Sequence, residues 1–300
     1  MTKRQNHTRA DRLKSTGTDS LSEFRLETVL VVIGTRAQAP LVLAIGRELA
    51  LSENATLHVI PTGINASSQT DMARQLEVDP EQLEGCVFHF SEDSPVEHIL
   101  RLAAELPHLI IVLPAQLGAG ALHKDLGPLV KEVLLQTTAP TILTPPQAHE
   151  FVWKLRRILL PHDGTPTTAA TVSPAMHLAY KFMAEVVALH VAAPRRGQPS
   201  EPGTLTTPYY ADQEQYEWPA WAKEFLERIR ALSRDVENVK LRLLLAAGKP
   251  GPEIVSAGRA CDVDLTVLAW RGTWRAERSS IIKAVVRESH RPVLVIRVSR

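Results

Sequence analysis

His162, Asp163 and Ser280 are the residue types of a nucleophilic triad, and strand ends and helix starts do converge in α/β folds. Adjacent residues on a strand project to opposite faces, however, so His162 and Asp163 do not make the base and orienter pair that chemistry needs. A phospho-accepting receiver would need an acidic pair after the first strand, a later aspartate and a lysine, and only Asp163 is in place. His58 and His190 sit at equivalent places inside two apolar runs, where packing with one satisfied hydrogen bond accounts for them better than metal ligation. No HExxH, DxD cluster, paired Cys/His spacing or GxxxxGK[ST] loop occurs, so metal catalysis and the P-loop are both unsupported. What survives is one carboxylate, Asp163, at the end of the run Ile158-Leu159-Leu160-Pro161 and followed by Gly164-Thr165. A carboxylate at a strand's end accepts well from hydroxyl or amine donors.

The elements that must position it follow from periodicity. Residues 28–33 (TVLVVI) read as a strand, and Val42, Ile45 and Leu49 at i, i+3, i+7 read as the helix after it. Strands over 55–60, 86–90, 109–113 and 141–144 alternate with helices near 70–78, 95–105 and 127–137. The order then restarts: strand 157–162, a helix with Val172, Ala175, Met176 and Ala179 on one face, and strand 186–191. Helix 218–234, strand 239–246, helix 251–260, strand 264–269, helix 279–288 and strand 293–298 complete it. Runs apolar at nearly every position suit strands covered on both faces, which means parallel sheets between helical layers.

The two halves share spacing as well as order. Leu57-His58-Val59 matches Leu189-His190-Val191 at an offset of 132 residues, whereas Pro140 matches Pro292 at 152. The growth in offset places an insertion at 193–217, which is rich in Pro, Gly and polar residues and reads as a long surface loop. A tandem duplication therefore explains 300 residues better than two unrelated domains. The predicted organisation is a disordered basic tail over 1–24, domain 1 over 25–147, a linker near 145–153 and domain 2 over 154–300. Tyr209, Tyr210, Tyr216, Trp218 and Trp221 gather in and after the insertion; the tryptophans, at i, i+3, read as a buried helix face, and the tyrosines stay open to a lid or partner-binding role.

Composition narrows the class. A 44% hydrophobic share with 22% charged residues fits a chain with a real core, and a net charge of +1 supplies no field to recruit nucleic acid or an anionic membrane. No apolar run reaches the roughly 18 residues of a spanning helix, and no secretory leader is visible, which predicts a soluble cytoplasmic protein. Cys86 and Cys261 fit no disulfide or zinc spacing and read as small buried hydrophobes.

Both halves resemble universal stress protein domains, and the whole chain resembles a tandem member of that family. The resemblance is carried by Ile158 through Thr165, by Leu189-His190-Val191, by Asp264-Leu265-Thr266-Val267-Leu268 and by Pro292-Val293-Leu294-Val295-Ile296, and it covers roughly 27–146 and 155–299. It implies two five-stranded parallel open sheets with helices on both faces, packed as an intramolecular pseudo-dimer through their final strands and helices, and it allows a homodimer. It also implies a non-enzymatic stress-response or regulatory role, with ATP and magnesium as ligands in one branch. Carried over, Pro161, Asp163 and Val191 would line the base and ribose site. Gly164, Gly272, Ser279 and Ser280 would serve the turn and the phosphate loop.

The sequence departs from the family's G-x-x-G-x9-G-[S/T] loop. The segment Ala269 to Ser280 is shorter and keeps one glycine, Gly272; Ser279-Ser280 stand where Gly-Ser would, either able to cap the helix, and Arg271, Arg275 and Arg278 offer charge-assisted contacts instead. Domain 1 is further away. Val32-Ile33-Gly34-Thr35 has no acid, and Gly118, Gly120 and Gly127 are followed by Pro128 where a hydroxyl would bind phosphate. The alternatives are then a nucleotide-free interaction module that binds another protein, and, behind it, a slow ATPase.

Overall fold

The computed structural model describes residues 24–63, 68–91, 94–115, 126–145, 152–192, 217–233, 238–274 and 276–298, without side-chain detail at 217–219 and 276–278. The basic tail, most of the 193–217 insertion with its three tyrosines, Gly118 and Gly120 lie outside the described residues, as do the side chains of Trp218, Arg275 and Arg278.

The first half runs β1 (Thr28–Ile33), α1 (Ala39–Glu53), β2 (Thr56–Pro61), α2 (Gln69–Leu76), β3 (Val87–Phe88), α3 (Pro95–Glu105), β4 (Leu109–Pro114), α4 (Pro128–Gln136) and β5 (Thr141–Thr144). The second runs β6 (Arg157–Pro161), a short α5 (Pro166–Ala169), α6 (Val172–Phe182), β7 (Glu185–Ala192), α7 (Glu217–Ala231), β8 (Leu241–Ala247), α8 (Pro250–Ala260), β9 (Leu265–Trp270), α9 (Ala276–Glu288) and β10 (Val293–Arg297). β1, β4 and β5 are buried at every position, as strands sandwiched between helices must be.

The two five-stranded units meet through their final strands, as the resemblance implied, and make one continuous sheet. Its strand order is β3-β2-β1-β4-β5-β10-β9-β6-β7-β8, so each half contributes five strands in the same relative order. Every neighbouring pair is parallel except β5 with β10, which pair antiparallel through Leu143 with Val293, Ile142 with Leu294 and Thr141 with Val295. An exposed edge strand seeks a partner for its unpaired N–H and C=O groups, and each half's last strand satisfies the other's.

Alternation along the strands divides the core into two layers. Val29, Val31, Ile158 and Leu160 pack with α1, α6 and α7, whereas Leu30, Val32, Leu159 and Leu189 pack with α3, α4, α8 and α9. Close helix-to-sheet contact in the first layer needs Gly46, where a Cβ would lie 2.3 Å from Val31 Cγ1. The chain enters β6 on a polar clamp: the buried carboxylate of Asp264 accepts from the Arg156 and Arg157 N–H groups at 2.8 and 3.0 Å, and Trp153 donates to the Asp264 carbonyl at 3.3 Å. Trp153, placed in a linker by sequence, is thus core. Both cysteines are free and half-buried rather than buried. Among the described residues no helix is long and apolar enough to cross a membrane.

Candidate functional site

β6 and β9 are neighbours in the sheet although six other elements separate them in sequence, and the chain departs from β6 and β9 toward different flanks. Such a reversal opens a crevice at the carboxyl ends of the strands. Asp163 lies there, two residues beyond β6, and Arg271 and Gly272 follow β9.

The β6–α5 turn is built around Asp163. Its Oδ1 accepts from the Thr165 N–H at 3.0 Å, the Thr165 hydroxyl at 2.7 Å and the Thr168 hydroxyl at 2.7 Å. Thr165 is the N-cap of α5, and Gly164 takes φ +84°, a conformation glycine adopts without penalty. What burial Asp163 has pushes its carboxyl up, but the bonds from Thr165 and Thr168 and the adjacent His162 outweigh this and hold it below its ordinary value. The residue is solvent-exposed, so an anionic acceptor faces the crevice mouth.

Strand alternation separates the neighbours as expected. His162 turns under α7, with its ring 5.7 Å from Phe225, while Pro161 continues the parity of Leu159 on the other layer, where Val191 also packs. His162 Nδ1 accepts from the Gly164 N–H at 2.8 Å, which leaves the proton on Nε2, a buried atom with no hydrogen-bond partner among the described residues. Burial, with His190 and Arg228 in the same sense and Asp163 against them, holds the imidazole at about 4. His190 donates through Nδ1 to the His162 carbonyl at 3.2 Å and stacks edge-on against Trp221 and Phe225. His162 and Asp163 share the Thr168 hydroxyl rather than bonding each other, so the base and orienter geometry is not formed. His58, the first-half counterpart of His190, instead meets His89 Nε2 at 2.7 Å. Among the described residues no group of three or more His, Cys, Asp or Glu is arranged to hold a metal ion.

The phosphate-loop position is occupied by a tryptophan turn. Trp274 lies on Trp270 with ring centroids 4.7 Å apart and donates to the Lys131 carbonyl of α4 at 3.4 Å, tying the turn to the first half. Gly272, at φ +70°, passes beneath Arg297, whose guanidinium donates to the carbonyls of Leu135 and Thr137 at 2.6 and 3.0 Å. Arg271 reaches back across the crevice to the Thr167 hydroxyl through Nε at 3.0 Å and Nη2 at 2.5 Å. Sequence reasoning offered Arg271 as a phosphate contact; its link to Thr167 had no signal in either residue's local pattern.

Two expectations are corrected. α9 begins at Ala276, not at Ser279, because Ala, Glu and Arg are good helix-forming residue types. Neither serine is therefore an N-cap. Ser279 is wholly buried inside the helix, and the exposed Ser280 lies past its first turn. In the first half Gly127 caps α4 with Pro128 at the first helical positions, and Gly34 ends β1 with no acid beside it.

Comparison with known proteins places this architecture. Residues 154–297 match the model of the universal stress protein family. A universal stress protein of Methanocaldococcus jannaschii is 26% identical over 147 residues, 47% of this chain and 82% of that protein. Among solved structures, a universal stress protein from Archaeoglobus fulgidus superposes with a TM-score of 0.59 at 16% identity, covering 93% of this chain and 98% of that one. A putative universal stress protein from Pseudomonas aeruginosa gives 0.62 at 17% identity, covering 91% and 93%. At these identities the two structures show a common fold spanning both halves of the chain.

Proposed function

On the premise that residues 154–297 form a universal stress protein domain, we propose that the chain is a non-enzymatic, cytoplasmic stress-response regulator whose second half binds an adenine nucleotide in the crevice between β6 and β9. The observation that carries this reading is the bridge from Arg271 to Thr167 above an exposed, ionised Asp163. All three hydrogen bonds on Asp163 fall on Oδ1, so Oδ2 is the atom that would accept from a ribose hydroxyl or adenine amine. Pro161 and Val191, on the opposite layer from His162, would supply the apolar wall for the base.

The residues fit the base and ribose better than a glycine-cradled triphosphate. Charge on the phosphates would be met by Arg271, whose planar fork matches a phosphate bidentately where it now holds the Thr167 hydroxyl, and by the amino end of α9. Magnesium, where it accompanies the nucleotide, would be held by the phosphates. Ser279 and the first half have no part in this reading.

The test is calorimetric titration of the full chain with ATP and magnesium, beside Asp163→Ala and Arg271→Ala. Saturable binding weakened at least about tenfold in each variant supports the site, since one bond to a charged group is worth about 1.5–3 kcal/mol. Folded protein that takes up no ATP at millimolar concentration rejects it. That result favours the second reading, a nucleotide-free module that binds another protein, to which the packing of Trp274 onto Trp270 and α4 also lends support.

A further inference from the structure

A second cavity, of about 210 Å³, lies at the opposite, amino-terminal end of β9 and β10, between the last turns of α8 and α9. Its floor is apolar, formed by Val255, Val263 and Val285, all buried, and its α8 wall is opened by Gly258, which has no side chain to fill it. Its rim is basic. Arg259, His290 and Arg291 face one acid, Asp262.

The rim is partly pre-organised. Arg259 Nη2 donates to the Glu288 carbonyl at 3.1 Å and to His290 Nε2 at 2.9 Å, which fixes the guanidinium at the mouth with its other donors uncommitted to that pair of bonds. Arg291 also reaches Asp262 at 3.4 Å, a long contact made to a carboxylate that is 70% exposed. Helix C-termini attract cations rather than anions, and the α9 end is already met by Arg259, which holds its guanidinium at the mouth beside that of Arg291.

From this geometry we infer that the cavity binds a small organic anion: a compact apolar body on the valine floor and one carboxylate at Arg259 and Arg291. Size agrees with that class, since an apolar cavity of about 150 Å³ holds benzene. The remaining volume suits a single carboxylate, whose planar fork matches a guanidinium. The site is independent of the nucleotide reading, being built from other residues at the other end of the strands.

Benzoate is the probe, titrated into isotope-labelled full-length protein by NMR. Saturable shifts confined to residues 254–266 and 285–291, weakened at least about tenfold by Arg259→Gln and abolished by Gly258→Leu, are the expected result. A Cβ at 258 would meet only Val263 Cγ2 at 3.5 Å and Leu159 Cδ2 at 3.8 Å, so the longer side chain enters the cavity without a backbone clash. Should Gly258→Leu not fold, the exposed Arg259→Gln and the location of the shifts still decide. Neutral benzamide binding as tightly as benzoate overturns the anion assignment, and no benzoate shift at 20-fold excess over protein, at ~10 mM, overturns the site. Asp163→Ala leaves benzoate binding unchanged, which separates this test from that of the nucleotide crevice.

Discussion

His177 Nε2 lies 2.7 Å from Glu53 Oε1, joining the last turn of α1 in the first half to the middle of α6 in the second. Lys181 completes the contact at 3.1 Å to Oε2, and the Glu53 side chain is only 4% exposed. The two halves thus share a polar clasp above the β5–β10 seam, on the layer where α1 and α6 meet.

Removing the carboxylate should loosen that clasp. Glu53→Ala leaves His177 and Lys181, which are 24% and 34% exposed and can rehydrate, so the expected loss is about 1–3 kcal/mol, below that of a fully buried pair. Burial raises the Glu53 pKa, but His177 and Lys181 outweigh it and hold the carboxyl below 4.5. A depressed acid stabilises the fold above its unfolded pKa and loses that contribution as pH falls through its folded one. Urea unfolding should therefore show wild type and Glu53→Gln converging below pH 4.5; a constant difference down to the acid transition would refute the clasp.

His162 titrates in a different window. Its unfolded imidazole takes up a proton near 6.5, whereas the folded one resists to about 4, because protonation would place a second N–H against the Gly164 N–H and a charge beneath Phe225. The folded pKa is depressed, so the unfolded state binds more protons between these values and stability falls as pH drops through them, by about 3 kcal/mol in all. His162→Gln should flatten the stability profile over that interval, and the His162 ring resonances of the wild type should stay at their neutral positions to about pH 4.

Much of this was legible in the residues. The apolar runs at 28–33 and 157–161 and the paired Leu-His-Val strands fixed where the elements lie, because a strand buried on both faces has no other composition available to it. Periodicity carried no information on whether Thr141–Thr144 and Val293–Arg297 would join, since backbone pairing at an edge is indifferent to side-chain pattern; only the family resemblance pointed there. In the site, Asp163 was visible as an acid at a strand end, but its threonine cradle was not. The Arg271–Thr167 bridge joins positions 104 residues apart, which no local spacing encodes. Ser279 misled because alignment to a glycine-serine pattern hid the helix-forming run before it.

Gly272 should tolerate no side chain. It combines φ +70° with a Cβ position 2.9 Å from Arg297 Nε, so Gly272→Ala forces either the turn or the guanidinium to move. Left-handed backbone costs a non-glycine residue about 1–2 kcal/mol, and displacing Arg297 adds the bonds it makes to Leu135 and Thr137 at the end of α4. Hydrogen exchange in the last turn of α4 should accelerate in this variant more than exchange in α1. Uniform acceleration would show that the turn does not brace the two halves.

Met183 offers the opposite experiment. It ends α6 in the left-handed conformation at φ 52°, with its side chain 94% exposed, at the place where Asn54 ends α1 at φ 54°. Asparagine bears this conformation at modest cost and glycine at almost none, whereas an unbranched apolar side chain gains nothing from solvent to offset it. Met183→Gly should raise the unfolding free energy by about 0.5–1 kcal/mol, because relief of the strained backbone exceeds the entropy that glycine returns to the unfolded chain. Met183→Ala separates the two effects, since it removes the exposed side chain and keeps the Cβ. Equal stability of the alanine and glycine variants in chemical denaturation would mean that the helix end relaxes away from the left-handed turn.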